Sequence, residues 1–487
     1  MKKKLFFLAA FSAVLITGCR KIEMDGEKEV IIVPGGGGGG STGQTITLTG
    51  RINADTLLRK ENTYILKDKV YMVGNHTMTI EAGTTVKAAF SGSDVAVLVI
   101  TRGSKLVADG TLEQPIVFTS NSPSPASGDW GGIVLCGNAS INFNFTGTGG
   151  GQGIYEVEGG LNNANGDGLA GGGSTPNDDD SSGVLRYIRI EYAGYAFQPD
   201  KEVNSLTMAA VGRKTVIDHV QVTYAKDDAF EWFGGTVNCK YLIAYKTQDD
   251  DFDTDNGFSG SVQFGLIIRD SAIADISKSE AFESDNHSTG GSMTPQTKAV
   301  FSNVTAFGPR ATLNNVGNSN YLGSAVQIRR NSSISIFNSA FVGWKTGIEI
   351  SDALGTPTSG NITSGNLQLS GVVIAGCDKP IVFVSGTNTP AGTTEATLTS
   401  WFTSNTKNKV LATVDDVRYT RPFDYVNPDF VPFGNSPLVI GTTANPNIHF
   451  EDPILTARPF IQKVDFLGAI APSGEYANWH KGWTKFD

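Results

Sequence analysis

Two adjacent stretches, TVIDHVQVTYAKDDAFEWFGG (215–235) and TVNCKYLIAYKTQDDDFDTDNG (236–257), are copies of one pattern. Val216 aligns with Val237, Val222 with Ile243 and Tyr224 with Tyr245 at an offset of 21, which becomes 22 at Asp227 and Asp249. A third copy, SVQFGLIIRDSAIADISKSEAFESDN (261–286), carries a longer loop and ends in the same way. A unit of about 22 residues with two or three short β segments cannot bury an apolar face alone, so its copies must stack. Parallel stacking at about 4.8 Å per coil brings equivalent residues into ladders along the axis. The expected fold is all-β, a right-handed parallel β-helix over residues 45–390. A β-sandwich is the runner-up, but it does not account for near-identical motifs one coil apart.

The same alternation of short strands and Gly, Asn, Asp and Ser breaks runs from about residue 77, and later segments such as 325–351 and 367–385 continue it. Residues 143–183, with GTGGGQG and GGGSTPNDDDSSG, interrupt the coils and read as a mobile, low-complexity surface excursion. Residues 391–487 form a C-terminal region, locally helical at first and then rich in Pro and aromatics, expected to cap the open end of the solenoid. The 58 glycines suit tight turns between strands. The net charge of −10, without a basic run beyond the N-terminus, argues against nucleic acid as a partner. Cys136, Cys239 and Cys377 lie more than a hundred residues apart among apolar neighbours, which reads as buried thiols, and no zinc-type spacing exists.

Lys2, Lys3 and Lys4 precede an apolar run of about a dozen residues, too short to span a bilayer and suited to a secretory signal over residues 1–18. Ile16-Thr17-Gly18-Cys19 resembles a bacterial lipobox, which makes Cys19 the lipidated first residue of the mature chain. Residues 19–44 include six consecutive glycines, Gly35 to Gly40, and read as a flexible tether.

The strongest chemical signal is acid-x-Phe-acid, repeated as Asp228-Ala229-Phe230-Glu231, Asp250-Asp251-Phe252-Asp253 and Glu280-Ala281-Phe282-Glu283, with Glu349 in a degenerate fourth copy. If the phenylalanines point inward, alternation puts Glu231, Asp253 and Glu283 outward in one column, with Asp228, Asp250 and Glu280 at the preceding turn. Asp227, Asp249, Asp251, Asp255 and Asp285 add further carboxylates. Two such charges about 5 Å apart repel by roughly 3 kcal/mol at an effective dielectric near 20, so the column must hold protons or bind a cation. An all-oxygen donor set without His or Cys favours calcium, and Asp251-x-Asp253-x-Asp255-Asn256-Gly257 resembles a calcium loop with one extra residue. A solvated acidic face without metal is the alternative, and an acid/base dyad is a third.

Trp232, Tyr321 and Trp344 are candidate stacking platforms for a sugar, and Arg329 and Arg330 candidate ligand contacts. A β-helix lyase would need a base such as Lys226, Arg269, Arg329 or Arg330 beside calcium-bridged uronate, and a hydrolase would need two carboxylates. Neither carries a recognisable catalytic signature here. A non-catalytic binder is the leading reading, and a tethered adhesin or scaffold stays open.

Three stretches carry a family resemblance: GSKLVADGTLEQPIVFTS with GDWGGIVLCGNASIN (103–142), DDAFEWFGGTVNCKYLIAYKTQDDDFDTDNGFSG (227–260), and VDFLGAI with NWHKGWTKF (464–486). They resemble Bacteroidota surface and secreted lipoproteins of the parallel β-helix type. The resemblance implies a β-helix, export and lipidation, and leaves activity open. It also implies an outer-membrane setting, with exposure at the cell surface supported by Glu23, Asp25 and Glu27 after the anchor, and partnership with a TonB-dependent transporter importing glycans or peptides.

Overall fold

The computed structural model describes residues 43–198, 201–276, 278–312, 321, 323–439 and 450–487. The signal segment, Cys19 and all but the end of the tether lie outside the described residues. The coils wind as a right-handed parallel β-helix with three strand faces. One face stacks the strands Ile133–Cys136, Leu206–Ala209, Phe230–Phe233, Phe252–Asp255, Phe282–Ser284, Ser324–Ile328, Thr346–Ser351 and Lys379–Val384, each parallel to the next. The other two faces arise because long strands bend. Val216–Thr223, Asn238–Tyr245 and Ser261–Ile268 each begin on the second face and end on the third.

The bend sits at His219, Tyr241 and Phe264, with φ of 53°, 57° and 62°, in the left-handed region that side chains other than Gly and Asn rarely adopt. Stacking offsets the cost. Tyr187, His219, Tyr241 and Phe264 form a continuous ring column with centroids 4.4, 4.3 and 4.9 Å apart.

The register is 22 residues throughout the first two copies: Val216 pairs with Asn238, Val222 with Ala244 and Phe230 with Phe252. The expected 21-residue pairing of Val222 with Ile243 is therefore one residue out. Such a slip exchanges the two sides of a strand. Val220, Val222, Leu242 and Ala244 fill the core, whereas Ile243, Tyr245, Phe264 and Leu266 point outward and are buried by something else.

That cover is the C-terminal tail. Trp479, Trp483, Phe466 and Leu467 pack over the outward residues, and backbone carbonyls of Gln462, Phe466 and Lys485 accept from Gln263, Asn303 and Gln221. The tail thus runs along the flank, and only the first part of residues 391–487 covers the solenoid end. There the helix Glu395–Ser404, capped by Thr394, sets Leu398 and Phe402 against the main core.

The 143–183 excursion is also more ordered than its composition suggests. Short antiparallel pairs, Asn144–Phe145 with Gly151–Gln152 and Tyr155–Glu156 with Leu169–Ala170, fold it over the first face. Tyr155, Val157 and Leu161 are buried there against Val97, Val99, Val134 and Phe233. The early coils are apolar outside, and the excursion replaces the water they would otherwise meet.

Candidate functional site

The acidic column forms on the first face, as the alternation predicts. Phe230, Phe252 and Phe282 line up inside and meet edge to face, with ring centroids 5.6 and 5.3 Å apart. Opposite them, Glu231, Asp253, Glu283, Gln327 and Glu349 are paired in register on the outer side. The next outward position carries Phe233, Asp255, Asp285 and Arg329.

At the preceding turn the carboxylates form a relay from coil to coil. Asp228 Oδ1 accepts from the backbone N–H of Asp250 (2.9 Å), and Asp250 Oδ1 accepts from that of Glu280 (2.6 Å). This is the side-chain-to-backbone bonding that Asp favours in turns, extended between coils. Glu280 ends the relay. It is 2% exposed, and its Oε1 has no hydrogen-bond partner among the described residues. Gly323 makes room for this carboxylate, because a Cβ there would lie 2.3 Å from Glu280 Oε1.

Two triads have oxygen atoms mutually within 4.8 Å: Asp228, Glu231 and Asp253, and Asp250, Glu280 and Glu283; Asp227, Asp228 and Asp249 make a third such group. Burial, reinforced by neighbouring carboxylates, raises Asp227, Asp228, Asp250, Asp253 and Glu231 well above the ordinary carboxylate range. Glu280 and Asp255 are pushed up to about 8, and Glu283, partly offset by Arg329, to about 7. The donor set is all oxygen, and buried Glu280 Oε1 and Asp253 Oδ1 lack partners among the described residues. Both features fit a hard divalent cation held by Asp228, Glu231, Asp253, Asp250, Glu280 and Glu283.

The pKa directions set a pH dependence with a defined sign. Carboxyls whose folded pKa exceeds the unfolded value stabilise the fold when protonated, and that contribution is lost as pH rises through the folded values. Without metal, thermal stability is expected to rise as pH falls from about 8.5 towards about 5.5, by the titration of Glu280, Asp255 and Glu283. Saturating calcium flattens that slope. A metal-free melting temperature independent of pH across this window would contradict the assignment.

Several expected site residues lie elsewhere. Asp251 leaves the column: it turns inward and pairs with Arg269, Nε to Oδ2 2.7 Å, both side chains fully buried. Its pKa is raised by burial to about 6 against the opposing guanidinium. Asp251 to Gly257 is therefore a strand with its turns, not a metal loop, since Phe252–Asp255 alternates buried and half-buried positions. Arg269 is equally unavailable as a base. Asp249 sits at the turn beside Asp227 and Asp228.

Trp232 and Trp344 are core residues, and Tyr321 is buried with its hydroxyl on the carbonyl of Asp270 (3.0 Å). None is a surface platform for a sugar. Parity with inward Phe230 already places Trp232 inside. Arg329 bonds Glu283, Asp285 (Nε to Oδ1 2.9 Å) and Gln327, and Arg330 bonds Asp285. Asp285 is thus an ion-pair partner rather than a vacant ligand. Cys136 and Cys239 are buried free thiols and Cys377 is half-buried; burial pushes all three up to about 12.

Composition hid the cleft beside the column. It measures about 530 Å³ and is lined by Phe143, Phe145, Tyr155 and Glu156 of the excursion and by Phe233 and Asp255 of the first face.

A three-faced parallel solenoid bearing an acidic column defines a β-helix protein. Residues 50–416 match the family model of the pectate-lyase-like β-helix domain, and the chain belongs to that family. No curated protein matches it, and no solved structure does.

Proposed function

We propose that this protein is a surface-anchored outer-membrane lipoprotein that holds calcium on its acidic column and binds a glycan there, without catalysis, for nutrient capture. The observation that carries this reading is the pair of carboxylate triads formed by the outer side of the first face and its preceding turn, with Glu280 Oε1 and Asp253 Oδ1 lacking partners among the described residues. Membership of a pectate-lyase-like family supports a polysaccharide rather than a peptide as the ligand, by analogy of fold. The anchor at Cys19 would place the body at the membrane surface, where a TonB-dependent transporter is the natural recipient.

One observation favours a second reading, a glycoside hydrolase. Glu283 at about 7 and Asp255 and Glu280 at about 8 are carboxyls protonated near neutrality, which is what a general acid requires. A lyase is less well supported, because Arg329 is held by Glu283 and Asp285 and its pKa is raised above the ordinary guanidinium value.

Affinity electrophoresis on a panel of plant and microbial polysaccharides, with calcium and with chelator, separates these readings. The expected result is retardation by at least one glycan in calcium, lost in chelator, with no new reducing ends. Release of reducing ends would establish an enzyme. Retardation by none of the glycans would overturn the glycan reading.

A further inference from the structure

We propose that the cleft beside the column is a subsite for an uncharged pyranose unit of the bound glycan. The proposal rests on the carbohydrate reading above and narrows it to the charge of the sugar.

The glycines of the excursion build the aromatic wall. Phe145 lines the cleft, half-buried, and its ring is seated against the hairpin that follows it. A Cβ at Gly147 would overlap the ring's Cζ, and one at Gly150 would lie 2.8 Å from its Cδ1, so only bare backbone lets the chain close on the ring. Phe143 is wedged between Tyr155, edge-on at 5.1 Å, and His287, stacked at 5.6 Å, and Tyr155 in turn stacks on Phe233 at 4.7 Å. The excursion is also pinned to the first coils. Arg51 pairs with Asp167 (2.8 Å), Lys69 donates to the Gly160 carbonyl (2.7 Å) and Tyr71 to that of Leu161 (2.8 Å). The rings are in place before a ligand arrives, which lowers the cost of binding.

The lining selects the ligand. An aromatic ring offers an apolar surface to the C–H face of a pyranose. Beside the rings stand partners for its hydroxyls: the exposed side chain of Ser288 and the carboxyl groups of Glu156 and Asp255. Neither carboxyl calls for a counter-charge. Glu156 Oε1 accepts from Asn162 Nδ2 (2.9 Å), and Asp255, pushed up to about 8, holds a proton at neutral pH. Glu158, also in the lining, has interactions of its own within the protein. Among the described residues, none of those lining the cleft is basic, so a uronate or a sulfated sugar would enter without a counter-ion. A cleft that neither demands nor balances a charge fits a neutral hexose, and about 530 Å³ falls within the range of small-ligand pockets.

The test is calorimetric titration of the protein, in calcium and near neutral pH, with pentasaccharides of glucose, mannose and galactose and of galacturonic acid. At least one neutral oligomer is expected to bind, and the galacturonate oligomer to bind at least about tenfold more weakly. Phe145→Leu, which keeps an apolar side chain but no ring, should weaken the neutral ligand about tenfold, whereas Phe145→Tyr, which keeps the ring, should bind it as the parent does. Melting curves of both variants verify that they fold. Galacturonate binding as tight as that of the neutral ligand overturns the proposal and leaves the carbohydrate reading standing. A neutral affinity unchanged by Phe145→Leu does the same. Binding of none of the four oligomers overturns both.

Discussion

Replacing Arg269 with Met is expected to lower the stability of the protein by about 3–5 kcal/mol. The guanidinium is fully buried and has several partners at once: Asp251 Oδ2 through Nε (2.7 Å), the Thr247 carbonyl through Nη1 (2.9 Å), and the Glu280 carbonyl through Nη2. It also lies 5.8 Å from the Trp344 ring centroid. Two of these contacts hold the turns that present Asp250 and Glu280 to the acidic column. Met restores some volume but leaves Asp251 buried without a counter-charge, and that uncompensated carboxyl is the main cost. Adding Asp251→Leu removes the orphaned charge and is expected to recover much of the loss. Urea unfolding of the two variants measures both effects, and a loss below about 1 kcal/mol in the single variant would show that the pair is not the pin described here.

The opposite sign is expected from Asp250→Asn combined with Glu283→Gln. The amide introduced at position 250 retains an oxygen able to accept from the Glu280 N–H, as Asp250 Oδ1 does at 2.6 Å, so the relay between coils persists. Two members of the Asp250, Glu280 and Glu283 triad can no longer ionise, which relieves the repulsion on Glu280 and outweighs the loss of the ion pair between Glu283 and Arg329. At pH 8 without metal the variant should be more stable than the parent by about 1–3 kcal/mol. Calcium removes or reverses that advantage: a parent protein at about a hundred times its dissociation constant gains about 2.7 kcal/mol, and the variant gains little. Thermal melts with calcium and with chelator read out both halves. Equal calcium responses in parent and variant would remove these residues from the site.

The acidic column is legible in the sequence because its signal is local. Phe230, Phe252 and Phe282 fall at the same place in each copy, and parity then sets Glu231, Asp253 and Glu283 on the other side. Parity fails at a turn, which is why Asp251, two residues from Asp253, goes inward instead; its partner Arg269 is 18 residues away, just past the strand Ser261–Ile268. The register of Val222 against Ala244 is hidden by the bend at His219 and Tyr241, since neither residue type announces a left-handed conformation. The excursion misleads because its glycines and aspartates dominate the composition. Its few aromatic and aliphatic residues, Phe143, Tyr155, Val157 and Leu161, decide where it packs. The flank position of the tail does leave a trace: outward Tyr241, Phe264 and Leu266 are too apolar for a solvated face, and Trp479 and Trp483 are the residues that cover them.

Isothermal titration of calcium into the metal-free protein tests the central claim most directly. Saturable heat is expected at near-neutral pH with protons released on binding, because ligands such as Glu280, at about 8, and Glu283, at about 7, must ionise. The heat should therefore change with the ionisation enthalpy of the buffer and disappear in the Asp250→Asn/Glu283→Gln variant. Absence of heat in every buffer, with no shift in the melting temperature on adding calcium, would contradict it and leave the column as a proton-sharing acidic face.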